Sequence, residues 1–227
     1  MAKRLATEHA ERGNAARKKA EAMMALKPRS IIKASQHLNN AREFYDKALE
    51  IEPNHEGALR GKAQAAIHLK DYSTAADCYE KILENNLEDD EARLDLGKAL
   101  YNIGQFDDAA LHLKKVVKAD PKNEDALFFL GRSLQGLKRH DEAAEQFEKI
   151  LRINPDDSRT LVWLAETYYR RKDYATAIHR SNMALKRLPE APIGQDLSHE
   201  GALRNKAKSI RLWSKIWRLS PFDGSEE

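Results

Sequence analysis

Pro53, Pro121, Pro155 and Pro189 stand on a single 34-residue step, with Leu87 at the remaining place in the series. Ala41, Ala75, Ala109, Ala143 and Ala177 form a second comb with the same step. Two combs in phase over five places turn the chain into a stack of one small repeat. Such a repeat cannot bury its apolar side alone, so it is stabilised by its neighbours. Stacked helical repeats offer an extended concave surface, which suits holding another protein better than performing chemistry.

With Glu56, Asp90, Glu124 and Ser158 as first positions, the fourth position is Leu59, Arg93, Leu127 and Leu161. The eighth is small each time: Ala63, Gly97, Gly131 and Ala165. The eleventh is Ala66, Leu100, Leu134 and Tyr168, and the seventeenth is Tyr72, Phe106, His140 and Tyr174. Apolar positions at helical spacing predict two buried faces per repeat. Small residues at the eighth and twentieth positions predict close helix crossings within it. Turn signals separate the two helices at Lys70-Asp71, Gly104-Gln105, Lys138-Arg139 and Lys172-Asp173. Polar clusters (Asn54, Asp89-Asp90, Asn123 and Asp156-Asp157-Ser158) end one helix and are expected to cap the next.

This pattern resembles the tetratricopeptide repeat, a helix–turn–helix of 34 residues, and the match runs over about 35–190. The RNA-reading pentatricopeptide repeat runs at about 35 and lacks the small–small–proline signature. The resemblance implies an all-α, right-handed superhelical solenoid of antiparallel helix pairs, about eleven helices in all. Lys62 and Arg93 at usually apolar positions, and Leu87 in place of a proline, depart from the family pattern.

The expected organisation begins with a basic helix and loop over 1–34, the first helix of an atypical repeat. Residues 35–55 supply its second helix, and full repeats follow at 56–89, 90–123, 124–157 and 158–190. Pro28 would break a helix over 22–35, so the Ala-rich stretch 4–26 is the expected first helix, with a loop at Lys27–Ser30. Residues 191–227 hold an insertion with Pro192 and Gly194, then a capping helix over 197–219 and a short tail. That helix starts with His199-Glu200-Gly201-Ala202-Leu203, an echo of His55-Glu56-Gly57-Ala58-Leu59.

Composition narrows the function. Thirty-nine basic residues against 36 acidic give a net charge of +3, so no global field draws the chain to nucleic acid. Segment 1–34 and segment 157–219 are locally basic. The single Cys78 excludes an internal disulfide. The absence of a long apolar run or a secretory signal core points to a soluble, cytoplasmic protein. His55-Glu56 and His199-Glu200 begin like the zinc-protease motif, but Leu59 and Leu203 stand where its second histidine belongs. His140 reads as a packed or surface histidine, and Cys78 as a small buried hydrophobe. No enzyme, cofactor or metal is expected.

In the family this pattern resembles, first helices line the concave face through a fixed set of positions. Carried onto this chain, they place Gln64, Lys98, Tyr101, Phe128, Arg132, Trp163, Glu166, Tyr169 and Arg170 in a partner-binding groove. Aromatic and arginine side chains are the usual anchors of protein interfaces. The competing role for Phe128 and Trp163 is packing between repeats. Arg12-Gly13-Asn14 starts like the clamp for chaperone C-terminal carboxylates, but Gly61, Glu91 and Asp95 defeat the rest of it. The expected function is a scaffold for a peptide or helix of a partner protein, itself a monomer or weak oligomer. The alternative is a peripheral membrane or nucleic-acid adaptor acting through basic ends. That alternative draws on the last helix, with Ile210, Trp213, Ile216 and Trp217 on one face and Lys206, Lys208, Arg211, Lys215 and Arg218 around the others. The expectation for this helix, however, is that Trp213 and Trp217 pack against the insertion and the last repeat, with the basic residues solvated.

Overall fold

In the computed structural model, residues 1–26, 31–188 and 199–219 are described, and they are helical in the order the repeat demands. The elements are α1 (Ala2–Leu26), α2 (Ile31–Ile51), α3 (Glu56–His68), α4 (Tyr72–Asn85), α5 (Asp90–Asn102), α6 (Phe106–Ala119), α7 (Glu124–Gly136), α8 (His140–Ile153), α9 (Ser158–Arg170), α10 (Tyr174–Arg187) and α11 (His199–Leu219). No strand occurs among the described residues. The loop expected at Lys27–Ser30, the insertion with Pro189, Pro192 and Gly194, and the tail after Leu219 lie outside them, as do the side chains of Trp217 and Arg218. The chain divides into two compact halves, Met1–Val116 and Val117–Glu227. α2 begins at Ile31, four residues ahead of the boundary read from sequence.

Helix starts reproduce the period. First helices begin at Glu56, Asp90, Glu124 and Ser158, and second helices at Tyr72, Phe106, His140 and Tyr174. A side-chain acceptor fixes most of these starts. Asp71, Asp89, Asn123 and Asp173 each accept from the backbone N–H three residues on, at 3.2, 2.9, 2.9 and 3.1 Å. α3 departs from expectation: its cap is His55 rather than Asn54, with Nδ1 accepting from Ala58 N at 3.1 Å. A ring nitrogen at that place meets an orphan N–H as well as the Asn carbonyl would.

The turn within each repeat requires left-handed backbone at one residue. Lys70, Gly104, Lys138 and Lys172 carry φ of 61°, 84°, 60° and 64°. They sit 34 apart, so the strained position is itself periodic.

Small residues mark the crossings. A Cβ on Gly97 would lie 2.6 Å from Leu113 Cγ, and one on Gly131 would lie 2.8 Å from Phe147 Cε1. In the N-terminal half, Tyr45 is fully buried, and Gly13 and Gly61 leave room for its ring: added Cβ atoms would meet it at 2.5 and 2.4 Å. Its hydroxyl donates to Asn14 Oδ1 at 2.9 Å. Gly13, Asn14 and Gly61, the residues weighed for a carboxylate clamp, thus serve the packing of one tyrosine. The two cationic departures are also absorbed. Lys62 pairs with Asp46 at 2.6 Å, and Arg93 pairs with Asp90 and donates to the Leu87 carbonyl.

α11 lies on α9 and α10. Leu203, Ala207 and Ile210 join Leu161, Val162, Ala165, Ala177, Ala184 and Leu188 in one apolar cluster. Arg204 Nη1 donates to the carbonyls of Leu185 and Leu188 at 3.2 and 2.7 Å, partnering the end of α10 where no helical N–H follows. The echo of α3 therefore preserves burial with a different neighbour. Position eight of α5 and α7 faces its own second helix, whereas Ala207 faces the preceding repeat.

Candidate functional site

In the N-terminal half the expected groove residues are half-buried, and two of them lie against neighbours. Gln64 on α3 is half-buried. Lys98 on α5 lies 3.5 Å from Asp95, which also accepts from the Tyr79 hydroxyl at 3.1 Å. Tyr101 is half-buried, its ring 5.8 Å from that of Phe106 in a tilted arrangement. Lys98 and Tyr101 thus each touch a residue of their own repeat.

The C-terminal half is different. Phe128 does not belong to the surface: it is 5% exposed, wedged against Phe129 and Phe147 at 5.7 and 5.8 Å, with the Arg159 guanidinium 4.0 Å over its ring. It serves the packing role that competed with the groove role. Trp163, by contrast, keeps an open edge and collects cations. The Arg132 guanidinium lies 3.1 Å from its ring centroid, and Lys206 Nζ lies 3.4 Å from it. Both are well inside the range where a cation gains from the ring's negative face. The ring's backbone is anchored by Gln135, whose Nε2 donates to the Trp163 carbonyl at 3.2 Å and to Thr167 Oγ1 at 2.6 Å.

Glu166, one turn along α9, is 13% exposed and sits between two cations. Arg170 Nη2 donates to its Oε1 at 2.7 Å, and Lys206 pairs with its Oε2. Burial alone would raise its pKa, but Lys206 and Arg170 reverse that, and the carboxyl lies below its ordinary 4.5. Lys206 moves down as well, because burial outweighs the upward pull of Glu166, and Arg132 and Arg170 add a smaller downward push. Both directions fit one picture: a single carboxylate held by two cations, with a third cation near enough to be felt.

α9 and α11 enclose a recess of about 430 Å³. Glu166, Arg170 and Lys206 form its charged wall, and Tyr169, Ile210 and Trp213 its apolar one. Four of the expected residues thus come together with Arg132 (Trp163, Glu166, Tyr169 and Arg170). Lys206, Ser209, Ile210 and Trp213 complete the site from α11, although on sequence alone Lys206 reads as a solvated charge. The signal that places it is the Leu203, Ala207 and Ile210 spacing, which sets Lys206 on the edge turned toward α9. Trp213 is 51% exposed rather than packed on the last repeat.

Cys78 lies in the other half, buried, its thiol pushed up to about 11 by burial. His140 is pushed down by burial and by nearby Arg170. Among the described residues no group of three His, Cys, Asp or Glu could hold a metal ion, and no helix is long and apolar enough to cross a membrane.

Periodic helix pairs with small residues at their crossings and αL turns between them define a class, the stacked helical-repeat proteins. Two tetratricopeptide repeat family profiles match, one over 34–93 and 134–197 and the other over 94–158. The first alone takes in more than half of the chain, and the chain belongs to the tetratricopeptide repeat family. No curated protein matches it. Among solved structures it is similar to the TPR protein YrrB, with 24% identity over 79% of this chain and 88% of that one and a TM-score of 0.64. MamA is similar at 20% identity over 83% and 98%, with a TM-score of 0.70. TTC0263, a TPR protein of Thermus thermophilus, is similar at 17% identity over 88% and 99%, with a TM-score of 0.60. These likenesses establish the fold.

Proposed function

We propose that the chain is a non-enzymatic scaffold that holds a peptide or helix of a partner protein against the faces of its first helices. The observation that carries this is the recess beside Trp163. A concave site with aromatic walls and fixed polar groups, on rigid helices, is built for binding. Arg132, Trp163, Tyr169 and Arg170 are the residue types that dominate protein interfaces. YrrB, which shares the fold, is described as having a peptide-binding site. Gln64, Lys98 and Tyr101 remain candidates for contacts in the N-terminal half.

Truncating Arg132, Trp163 or Tyr169 to alanine should each weaken partner binding by at least about 1–2 kcal/mol. Glu145→Ala and Lys149→Ala, on exposed positions of α8, should change it by less than about 0.5 kcal/mol. A partner captured by the full chain and titrated against these variants by calorimetry decides the matter.

One observation favours the second reading, a peripheral adaptor. Leu212, Trp213 and Ile216 are 57%, 51% and 47% exposed on α11, beside the exposed Lys208 and Lys215. Co-sedimentation with anionic vesicles and with oligonucleotides, at low and physiological salt, tests it. Binding there that is abolished by charge reversal at Lys208 and Lys215, with groove variants unaffected, would replace the scaffold reading.

A further inference from the structure

The recess between α9 and α11 is two-sided in its chemistry. Ile210 is 7% exposed and forms part of the floor, with Tyr169 and the half-exposed Trp213 beside it. From Trp213 an apolar strip continues along α11 through Leu212 and Ile216, at helical spacing and open to solvent. The opposite wall is charged, and among the described residues that line it the charge does not cancel. Arg170 and Lys206 share a single carboxylate, Glu166, and Arg132 adds its field to that of Arg170 at Lys206.

Glu166 is shielded from a visitor. Its Oε1 is taken by Arg170 and its Oε2 by Lys206, and only 13% of its side chain meets solvent. Arg170 is the reverse case, 53% exposed. A guanidinium carries five N–H donors, and the bonds to Glu166 use only its Nε and one terminal nitrogen. Two cations bonded to one carboxylate leave a positive charge in surplus on this wall. Burial is the larger cause of the lowered Lys206 pKa and Glu166 pulls it up, while Arg132 and Arg170 are both felt there, each pushing it down. An approaching lysine or arginine would meet that field as repulsion, and a carboxylate would relieve it.

We propose that this recess receives an acidic segment of a partner protein, seating one apolar side chain on Tyr169, Ile210 and Trp213 and setting a neighbouring carboxylate against Arg170 and Lys206. The inference rests on the scaffold reading and supplies the chemistry of its ligand. A volume of about 430 Å³ lies in the lower part of the range for ligand pockets, about 300–1,000 Å³, and suits a side chain with the adjoining backbone rather than a whole folded element. A free phosphate or similar anion would use the charged wall alone and leave the apolar one idle.

The test uses the full chain and short acetylated, amidated peptides, followed by calorimetry and tryptophan fluorescence. Of the three tryptophans, Trp213 lines the recess and Trp163 lies against Lys206, one of its lining residues. One peptide alternates leucine with glutamate. A second replaces glutamate by lysine, a third replaces leucine by serine, and inorganic phosphate is the fourth probe. The leucine–glutamate peptide should bind at least about tenfold more tightly than each of the others, a gap of about 1.4 kcal/mol. Arg170→Glu and Trp213→Ala change exposed side chains, and each should lower that affinity about tenfold with helical circular dichroism unchanged. Equal or tighter binding of the lysine peptide overturns the proposal. So does phosphate binding that matches the acidic peptide and is indifferent to Trp213→Ala. A random peptide array with crosslinking separates the two levels of the argument. Binders of other composition crosslinked at Tyr169 or Trp213 would leave the scaffold standing and this ligand wrong. No crosslink of any peptide to a first helix would remove the scaffold reading itself.

Discussion

Arg93 donates a hydrogen bond to the backbone carbonyl of Leu87, so two positions where the chain leaves its own repeat are bonded to each other. Sister repeats carry a proline at the first and leucine at the second. Without the proline's fixed φ, the 86–89 turn gains a tether from the next helix, and Arg93 also pairs with Asp90. Its side chain is only 12% exposed, its stem occupying the place of the sister leucines. Arg93→Ala should therefore cost about 2 kcal/mol, combining a lost charged hydrogen bond with a small cavity. Arg93→Leu, which refills the space, should cost less than about 1 kcal/mol. Urea melts of both variants check this, and an alanine variant as stable as wild type would deny the tether any role.

Gly131 and Phe147 make a second pair that chemistry constrains tightly. A methyl group on Gly131 would lie 2.8 Å from the ring, and the ring is itself fully buried. Alanine gains about 1 kcal/mol over glycine in a helix, but overpacking costs typically 1–3 kcal/mol. Gly131→Ala should come out neutral to destabilising, and Gly131→Leu destabilising by several kcal/mol. Gly97 against Leu113 should behave alike, somewhat more gently because leucine has more rotamers to offer. Raised melting temperatures for both leucine variants would refute the crossing.

The αL turns make the opposite prediction. Lys138 and Lys172 hold φ near 60° with no glycine to ease it, whereas Gly104 holds 84° freely. A left-handed backbone costs a non-glycine residue about 1–2 kcal/mol. Lys138→Gly and Lys172→Gly should each stabilise the protein by roughly 0.5–1 kcal/mol, the gain trimmed by the entropy glycine adds to the unfolded chain. Differential scanning calorimetry would show it as a rise in Tm.

Period and registration were legible because each repeat writes the same local physics. Small residues at crossings, apolar spacing and capping acids recur every 34 residues, and the helix starts follow them to the residue. Exceptions arose where one residue has two competent solutions, as with His55 capping α3 in place of Asn54. The site was half legible. Position within the repeat selected Trp163, Glu166, Tyr169 and Arg170 but could not tell Phe128 from an exposed ring, since that depends on Phe147 and Arg159 closing over it. Lys206 escaped because it follows an insertion that breaks the period, after which only tertiary packing decides which face of α11 meets α9.

The carboxylate held by Arg170 and Lys206 gives stability a dependence on pH. Glu166 has a folded pKa below its ordinary 4.5, so its contribution is fully present above that value and is lost as pH falls through the lower, folded one. Glu166→Gln leaves Lys206, Arg132 and Arg170 facing one another without the anion. The variant should lose at least about 2 kcal/mol near neutral pH. The gap to wild type should narrow steadily as pH falls below the ordinary carboxylate range, because wild type then loses the same charge. Urea melts over that acid range would show the convergence. A gap that stays constant means that Glu166 acts through shape and hydrogen bonding rather than charge.

Removal of α11 tests the end of the stack. Leu161, Val162, Ala165, Ala177 and Ala184 are fully buried, and α11 contributes Leu203, Ala207 and Ile210 to the cluster that holds them. Deleting 197–227 would uncover that face and leave the α10 carbonyls of Leu185 and Leu188 without Arg204. An uncapped repeat end is an adhesive apolar patch, so the truncated chain should self-associate in sedimentation velocity and melt at lower temperature. A milder variant guards against simple misfolding. Arg204→Ala keeps the helix and its apolar contacts while removing the donors to α10, and it should lower stability by about 1–2 kcal/mol without self-association. A truncated chain that stays monomeric and equally stable would make α11 an independent arm, free to serve a membrane or another partner.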